Sequence, residues 1–311
     1  MNSNNNLTLD NTDAAVIAAH EAEKQLFDFY GLEDKDHYVP IPGLNIRMRV
    51  TEIGSGPPVV IVPGNTGDIF PLIPLLGSLK GRRIIAINRP GGGLSEGMDH
   101  RTVDIRKFAV QTITAVFDAF DLISAPIIAH SMGGHWSLWM TMDNPHRVSA
   151  LTLLGVPGNV ISTRPPFVLR LMGVPLLNSL MFKLVSPKDT EHSLRGLSFM
   201  GHSAKTVAGL PQAFSDCYYH FQKLPHYKIS AISLMEKGVP RITAEQLGTI
   251  SRPIMFYWGS SDPFGSIETG REIAAAIPNA EFNKIEDAGH LPWLEDPAGC
   301  AQIVLDFIAK Y

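Results

Sequence analysis

The sequence predicts an α/β fold built on a doubly wound, mostly parallel sheet with helices on both faces. Three observations carry that expectation. Compact apolar runs occur without alternation, as strands buried on both faces require. Patterns of helical period lie between them, and one run passes straight into a small-x-Ser-x-Gly turn followed by another helical pattern. With 311 residues, 45% of them apolar, the chain can bury a sizeable core.

Taken in order, residues 1–12 are polar and are expected to lack fixed structure. Residues 13–30 place Ala15, Ile17, Ala18, Leu26 and Phe29 among charges, the pattern of an amphipathic helix. Two roles are open to it: covering a lid, or joining two subunits. Pro42 and Gly43 mark a turn between two short strands, Tyr38–Ile41 and Asn45–Ile53. In the second, Ile46, Met48 and Val50 alternate with Arg47, Arg49 and Thr51, which predicts an antiparallel strand with one buried face.

The non-alternating runs are Val59–Val62, Arg83–Asn88, Ala125–His130, Ala150–Leu154, Pro253–Trp258 and Ala280–Ile285. Helical patterns span Val103–Phe120 and Pro297–Tyr311, and Pro297 suits a first helical turn. Between Gly158 and Leu247 no parallel-strand run occurs; seven prolines from Pro165 to Pro240 divide short helical pieces. This stretch falls between the runs at 150–154 and 253–258. It reads as a helical lid over the carboxyl edge of the sheet, where ligands sit in open α/β folds.

Composition narrows the partners. A net charge of −4, with no long stretch of like charge, argues against nucleic acid. No segment approaches the roughly 18 consecutive apolar residues of a membrane span. The start, Met1-Asn2-Ser3, lacks the basic-then-apolar pattern of a secretory signal. Cys217 and Cys300 lie far apart and outside metal-ligand spacing, which predicts two buried free thiols. The expectation is a cytoplasmic protein that needs no metal and no cofactor.

The segment Ala125 to Gly134 is the most informative. An apolar strand runs into Ala129-His130-Ser131-Met132-Gly133, and a helical pattern follows through Trp136, Leu138 and Trp139. A serine at such a turn takes strained dihedrals, so the residues two before and two after it must be small. Ala129 stands where a first glycine is usual, and alanine still leaves the turn uncrowded. The helix behind Ser131 directs its free N–H groups and positive end at the reaction centre.

With this turn, Asn88-Arg89-Pro90-Gly91-Gly92-Gly93-Leu94-Ser95 and Gly289-His290-Leu291-Pro292-Trp293-Leu294-Glu295, the chain resembles the α/β-hydrolase superfamily over about residues 38–311. The likeness is to its lidded branch, serine-esterase-like or meta-cleavage-hydrolase-like. The family usually opens the 88–95 loop with Asp rather than Asn88. The resemblance implies an α/β-hydrolase fold: a mostly parallel eight-stranded sheet flanked by helices, with a helical cap inserted between strands 6 and 7. The implied division is an N-terminal extension at 1–37, a core domain at 38–157 and 248–311, and a cap at 158–247. These motifs specify the fold far better than the substrate.

A serine hydroxyl is a weak nucleophile at neutral pH and needs a neighbouring base. Among eleven histidines, His290 is selected because it follows the last expected strand in a short loop at the sheet's carboxyl end. The fold also orders its triad Ser, Asp, His along the chain. His130 and His135 read as packing or polar-core residues. His202, His220 and His226 fall in the lid, where nothing favours substrate contact over solvent exposure.

Asp262 directly follows the run ending at Trp258 and is the carboxylate expected to fix the tautomer of the base. Its rivals Asp287, Glu295 and Asp296 lie near His290, and Glu286 and Asp287 read as solvated. Some relatives place the acid after the preceding strand, but Gly155-Val156-Pro157 offers no carboxylate there. The resemblance implies two oxyanion donors, the backbone N–H groups of Met132 and Asn65. The loop carrying the second has Pro63-Gly64 where the family commonly has His-Gly.

Phe167, Leu171, Met181, Phe182, Leu184, Phe199 and Met200 make the lid apolar, and they suggest a hydrophobic pocket for a medium-sized acyl or aromatic ester. The expected activity is hydrolysis of a carboxylic ester, or a related acyl bond, of a hydrophobic small molecule through an acyl-enzyme. C–C hydrolysis of a vinylogous diketone, as in meta-cleavage hydrolases, is the alternative; the loop after the third strand lacks the Gly-rich pattern typical of that group. A cofactor-free oxygenase or perhydrolase, or a receptor that keeps the pocket without turnover, also stays open, as does a homo-oligomer. Haloalkane dehalogenases and epoxide hydrolases need Asp where Ser131 stands.

Overall fold

The computed structural model describes residues 8–164, 167–171, 173–175 and 177–311. Residues 1–7 and the Pro165-Pro166 pair, named in the expectations above, lie outside the described residues. One sheet is built from β1 (Asp34–Pro40), β2 (Arg47–Ile53), β3 (Pro58–Val62), β4 (Arg83–Ile87), β5 (Ala125–His130), β6 (Val148–Leu154), β7 (Ile254–Gly259) and β8 (Glu281–Ile285). Its strand order is β1-β2-β4-β3-β5-β6-β7-β8. β2 runs antiparallel to both β1 and β4, and every pairing from β4 to β8 is parallel. Because β3 sits between β4 and β5, the strand order reverses there, and open α/β sheets bind ligands at the carboxyl ends of the strands at such a reversal.

The helices are α1 (Ala14–Phe29), α2 (Ile73–Leu76), α3 (Ile105–Ala119), α4 (Met132–Asp143), α5 (Phe167–Leu171), α6 (Leu177–Val185), α7 (Arg195–Phe199), α8 (Ala204–Ala208), α9 (Gln212–Phe221), α10 (Tyr227–Lys237), α11 (Ala244–Leu247), α12 (Ile267–Ala275) and α13 (Pro297–Ile308). Several begin where a carboxylate or hydroxyl caps the first turn: Asp13 for α1, Asp104 for α3, Ser266 for α12 and Asp296 for α13.

Strand residues alternate between two apolar cores. Val60, Val62, Ile127, Ala129, Leu151 and Leu153 join one with α3, α4 and α12. Val59, Ile61, Ile128, Ala150 and Leu154 join the other with α1, α2, α9 and α13. Both faces are apolar because both are covered, so the central runs show no alternation.

Five details differ from the sequence expectation or complete it. β2 was expected to bury one face, yet Arg49 is only 1% exposed and Thr51 is fully buried. Their side is covered by α1, whose Glu23 meets Arg49 Nη1 at 2.5 Å, while Asp36 of β1 meets Arg49 Nε at 2.7 Å. β8 was expected to be buried on both faces, but it is the edge strand and is half-buried along its length. The N-terminal helix packs along α9, so it covers the insertion between β6 and β7. Within that insertion Phe167, Leu184 and Phe199 are exposed rather than turned into a pocket, because helices this short can bury only one side. A lone parallel bridge, Val160 to Ile242, ties the two ends of the insertion together.

Candidate active site

Ser131 joins β5 to α4 with φ 50° and ψ −118°. Such a conformation costs a non-glycine residue on the order of 1–3 kcal/mol and is kept only where the surroundings impose it. Here α4 starts hard against the end of β3. A Cβ on Gly133 would lie 2.3 Å from the Val62 carbonyl oxygen and 2.4 Å from that of Pro63. The Ser131 N–H donates to the Leu154 carbonyl at 3.3 Å, which fixes the turn to β6.

Three buried side chains form one hydrogen-bonded chain. Ser131 Oγ lies 2.9 Å from His290 Nε2, and His290 Nδ1 lies 2.8 Å from Asp262 Oδ2. The carboxylate can only accept, so Nδ1 carries the proton and Nε2 is left to accept from the serine hydroxyl. Asp262 is held in turn: Oδ2 accepts the Val156 N–H at 3.1 Å, and Oδ1 accepts the Phe264 N–H at 2.9 Å. The Phe264 ring stacks on the imidazole with centroids 4.1 Å apart. β7 and β8 are neighbours, so the loops that follow them meet. Gly155 lets them close over β6, since a Cβ there would lie 2.4 Å from the His290 carbonyl oxygen.

The loop after β3 lies beside the serine because β3 pairs with β5, Val62 opposite Ala129. A Cβ on Gly64 would meet His130 Nδ1 at 2.6 Å and the Ser131 Cβ at 3.4 Å. Met132 is the first residue of α4, so its N–H has no preceding turn to bond. The Asn65 N–H donates to no carbonyl among the described residues, and Asn65 itself is exposed. Ser131, Asp262, His290, Met132 and Asn65 therefore come together from four loops at the carboxyl edge of the sheet.

The remaining histidines divide clearly. His130 Nε2 donates to the His290 carbonyl at 3.1 Å, and its ring packs against Trp293. Burial, reinforced by the neighbouring His290, holds its pKa well below the usual imidazole value. It is a neutral pin on the loop that carries His290. His135 donates Nδ1–H to the Gly158 carbonyl at 2.5 Å, and burial pulls it down to about 4. His220 is half-buried.

His202 and His226, for which the sequence left substrate contact and solvent exposure both open, are buried. His202 donates Nδ1–H to Glu295 at 2.8 Å and accepts the Leu291 N–H on Nε2 at 3.2 Å. The Met200 carbonyl accepts the His290 N–H at 2.8 Å. Two consecutive N–H groups, those of His290 and Leu291, are thus held from the insertion. The only sequence trace of this contact is a pair of glycines: a Cβ on Gly289 would meet the Met200 oxygen at 2.4 Å, and one on Gly201 the Ser261 oxygen at 2.0 Å.

The rival carboxylates are engaged elsewhere. Glu295 pairs with His202, Asp296 caps α13, and Glu286 and Asp287 are exposed. Cys217 and Cys300 are buried free thiols. Among the described residues no group of three or more His, Cys, Asp or Glu side chains could hold a metal ion. Nor is any helix there long and apolar enough to cross a membrane.

A reversed strand order with a strained serine turn at the reversal is the arrangement of a class of hydrolytic enzymes, and comparison agrees. The chain matches the α/β hydrolase fold family over residues 57–297 and belongs to it. Among curated relatives it is similar to the 2-hydroxy-6-oxononadienedioate/2-hydroxy-6-oxononatrienedioate hydrolase of Klebsiella pneumoniae. The two are 24% identical over 281 residues, which cover 86% of this chain and 93% of the relative. Among solved structures it is similar to carboxylesterase CesB from Bacillus subtilis, with a TM-score of 0.78 and 16% identity over 96% of this chain and 100% of that one. It is also similar to the enol-lactonase from Burkholderia xenovorans, with a TM-score of 0.69 and 18% identity over 88% of this chain and 100% of that one.

Proposed function

We propose that the chain is a serine hydrolase that cleaves a carboxylic ester, or a related acyl bond, of a hydrophobic small molecule. The observation that carries this reading is the unbroken chain from Ser131 through His290 to Asp262, with separations of 2.9 and 2.8 Å. In this reading the Ser131 oxygen attacks the substrate carbonyl while His290 Nε2 takes its proton. The oxyanion accepts the N–H groups of Met132 and Asn65, and the alcohol leaves with the proton returned by His290. Water, activated by the same imidazole, then releases the acid from the acyl-enzyme. Residues 158–247 act as the cap over this site. A fluorophosphonate probe and a p-nitrophenyl ester series test the reading. Ser131 should be labelled and a burst of nitrophenol should appear, and both should vanish in Ser131→Ala. A variant that keeps full turnover rules the reading out.

A second reading is favoured by the likeness to the Klebsiella pneumoniae hydrolase, whose substrates by name carry a 2-hydroxy-6-oxo group. The same three side chains would then serve hydrolysis of a C–C bond beside the 6-oxo carbon. Rapid loss of the absorbance of a 2-hydroxy-6-oxodienoate, with slow turnover of every ester in the series, would select it.

A further inference from the structure

We infer that Arg89 is a positioning residue for the oxyanion site: its guanidinium holds the Gly64 carbonyl and so aims the Asn65 N–H of the same peptide at the substrate oxygen. The inference rests on the serine-hydrolase reading above and adds a residue to it. Arg89 follows β4 and is only 2% exposed. Its backbone N–H donates to the Gly67 carbonyl at 2.7 Å, and its Nη2 donates to the Gly64 carbonyl. That same oxygen accepts the Gly67 N–H at 3.0 Å. The described peptides are all trans. In a planar trans peptide the C=O and the following N–H point to opposite sides. A carbonyl pinned towards Arg89 therefore leaves the Asn65 N–H facing away from it, in a loop that runs against Ser131.

The guanidinium also reaches the second half of the site. Its central carbon lies 4.4 Å from the ring centroid of Trp136, which is buried in α4, the helix that begins behind the serine. One planar cation thus bridges the loop after β3 and the helix after β5, which carry the two oxyanion donors. A charged donor on the carbonyl oxygen polarises the peptide and strengthens its N–H as a donor.

A purely structural ion pair is the simpler explanation for a buried arginine, and the geometry does not supply one. Among the described residues no carboxylate lies within ion-pair distance of Arg89; Asp68, which accepts from the Thr66 hydroxyl, attracts it only from farther off. Burial lowers the pKa of Arg89 to about 9, so it remains a cation at neutral pH. Lysine would keep the charge but lose the fork and the flat face that stacks on Trp136.

The test uses Arg89→Met and Arg89→Lys in the full chain with the best p-nitrophenyl ester. The probes are a matching trifluoromethyl ketone, whose carbonyl carbon bonds to Ser131 Oγ to give an oxyanion as His290 takes the proton, and the matching neutral alcohol. In Arg89→Met, kcat should fall about ten- to a hundred-fold, less than or comparable to the loss of one whole donor. KM and the affinity for the alcohol should stay unchanged, and the affinity for the ketone should weaken in step with kcat. Arg89→Lys should recover part of the loss. Unchanged kcat and ketone affinity in folded Arg89→Met would overturn the inference, and so would equal weakening of ketone and alcohol. If Arg89→Met does not fold, the same readings on Arg89→Lys decide. An inactive Ser131→Ala beside an indifferent Arg89 variant removes only the role of Arg89, whereas an active Ser131→Ala removes the underlying reading.

Discussion

Asp262 is held by contacts that leave it little freedom. One oxygen accepts from His290 and Val156, and the other accepts from Phe264. Replacing it by Asn removes a lone-pair site and introduces an N–H₂ that favours the wrong imidazole tautomer, while the side-chain shape hardly changes. Asp262→Asn should therefore lower kcat by about 10⁴-fold in the serine-hydrolase reading. Steady-state ester kinetics beside a melting curve check this, and a kcat within tenfold of the parent would contradict it. At the same scale, Ala129 marks how tightly the elbow is built. It is buried opposite Val62 on β3, so the smallest side chain suffices where a glycine is usual. Asp287 shows the limit of proximity in sequence: three residues from His290, it is exposed and its N–H donates to Ser260.

Among the elements, α1 does more than extend the chain. Its Glu23 is buried against Arg49 of β2, and burial raises the pKa of that carboxyl against the pull of the arginine. Asp36 supplies the second carboxylate, so a buried cation at the sheet's antiparallel end is met from a helix and a neighbouring strand. Arg49→Ala should destabilise the fold by about 3–5 kcal/mol, because it leaves Glu23 buried without its cation. Glu23→Ala with Arg49→Ala should cost clearly less than the two single losses added. Denaturant unfolding of the four proteins measures this, and strict additivity would show that the pair does not act as one. Because α1 also lies along α9, truncating it should loosen the helices between β6 and β7 as well as the sheet edge.

Over the whole molecule, neutral buried histidines set the response to acid. Burial pulls His100, His135 and His226 down to about 4, and His130 well below its usual value. Unfolded, each would bind a proton near pH 6.5. Their contribution to stability is complete above pH 6.5, and it declines as pH falls from there towards 4, where the unfolded chain binds protons that the fold excludes. Asp68, pushed up to about 7 by burial, and Glu23, which burial also raises, work the other way. The melting temperature should drop between pH 6.5 and 4. His226→Phe should shrink that drop, since His226 is fully buried and burial is what lowers its pKa. A variant with an undiminished drop would refute the assignment to His226.

The strand and helix alternation, the small-residue turn around Ser131 and the candidates His290 and Asp262 are legible in the sequence. Each of these is written locally: in apolar runs, in small residues flanking a serine, in a loop directly after a strand. Arg49 on a second buried face, the half-buried edge strand β8, the hold of Met200 and His202 on the loop of His290 and the reach of Arg89 to Gly64 emerge only once the chain has folded. Those contacts join residues 25 to 90 positions apart, and no local pattern records which loop or helix a side chain will meet once the sheet has formed. The clearest local hint of them was glycine, at Gly201 and Gly289, where two backbones approach too closely for any side chain.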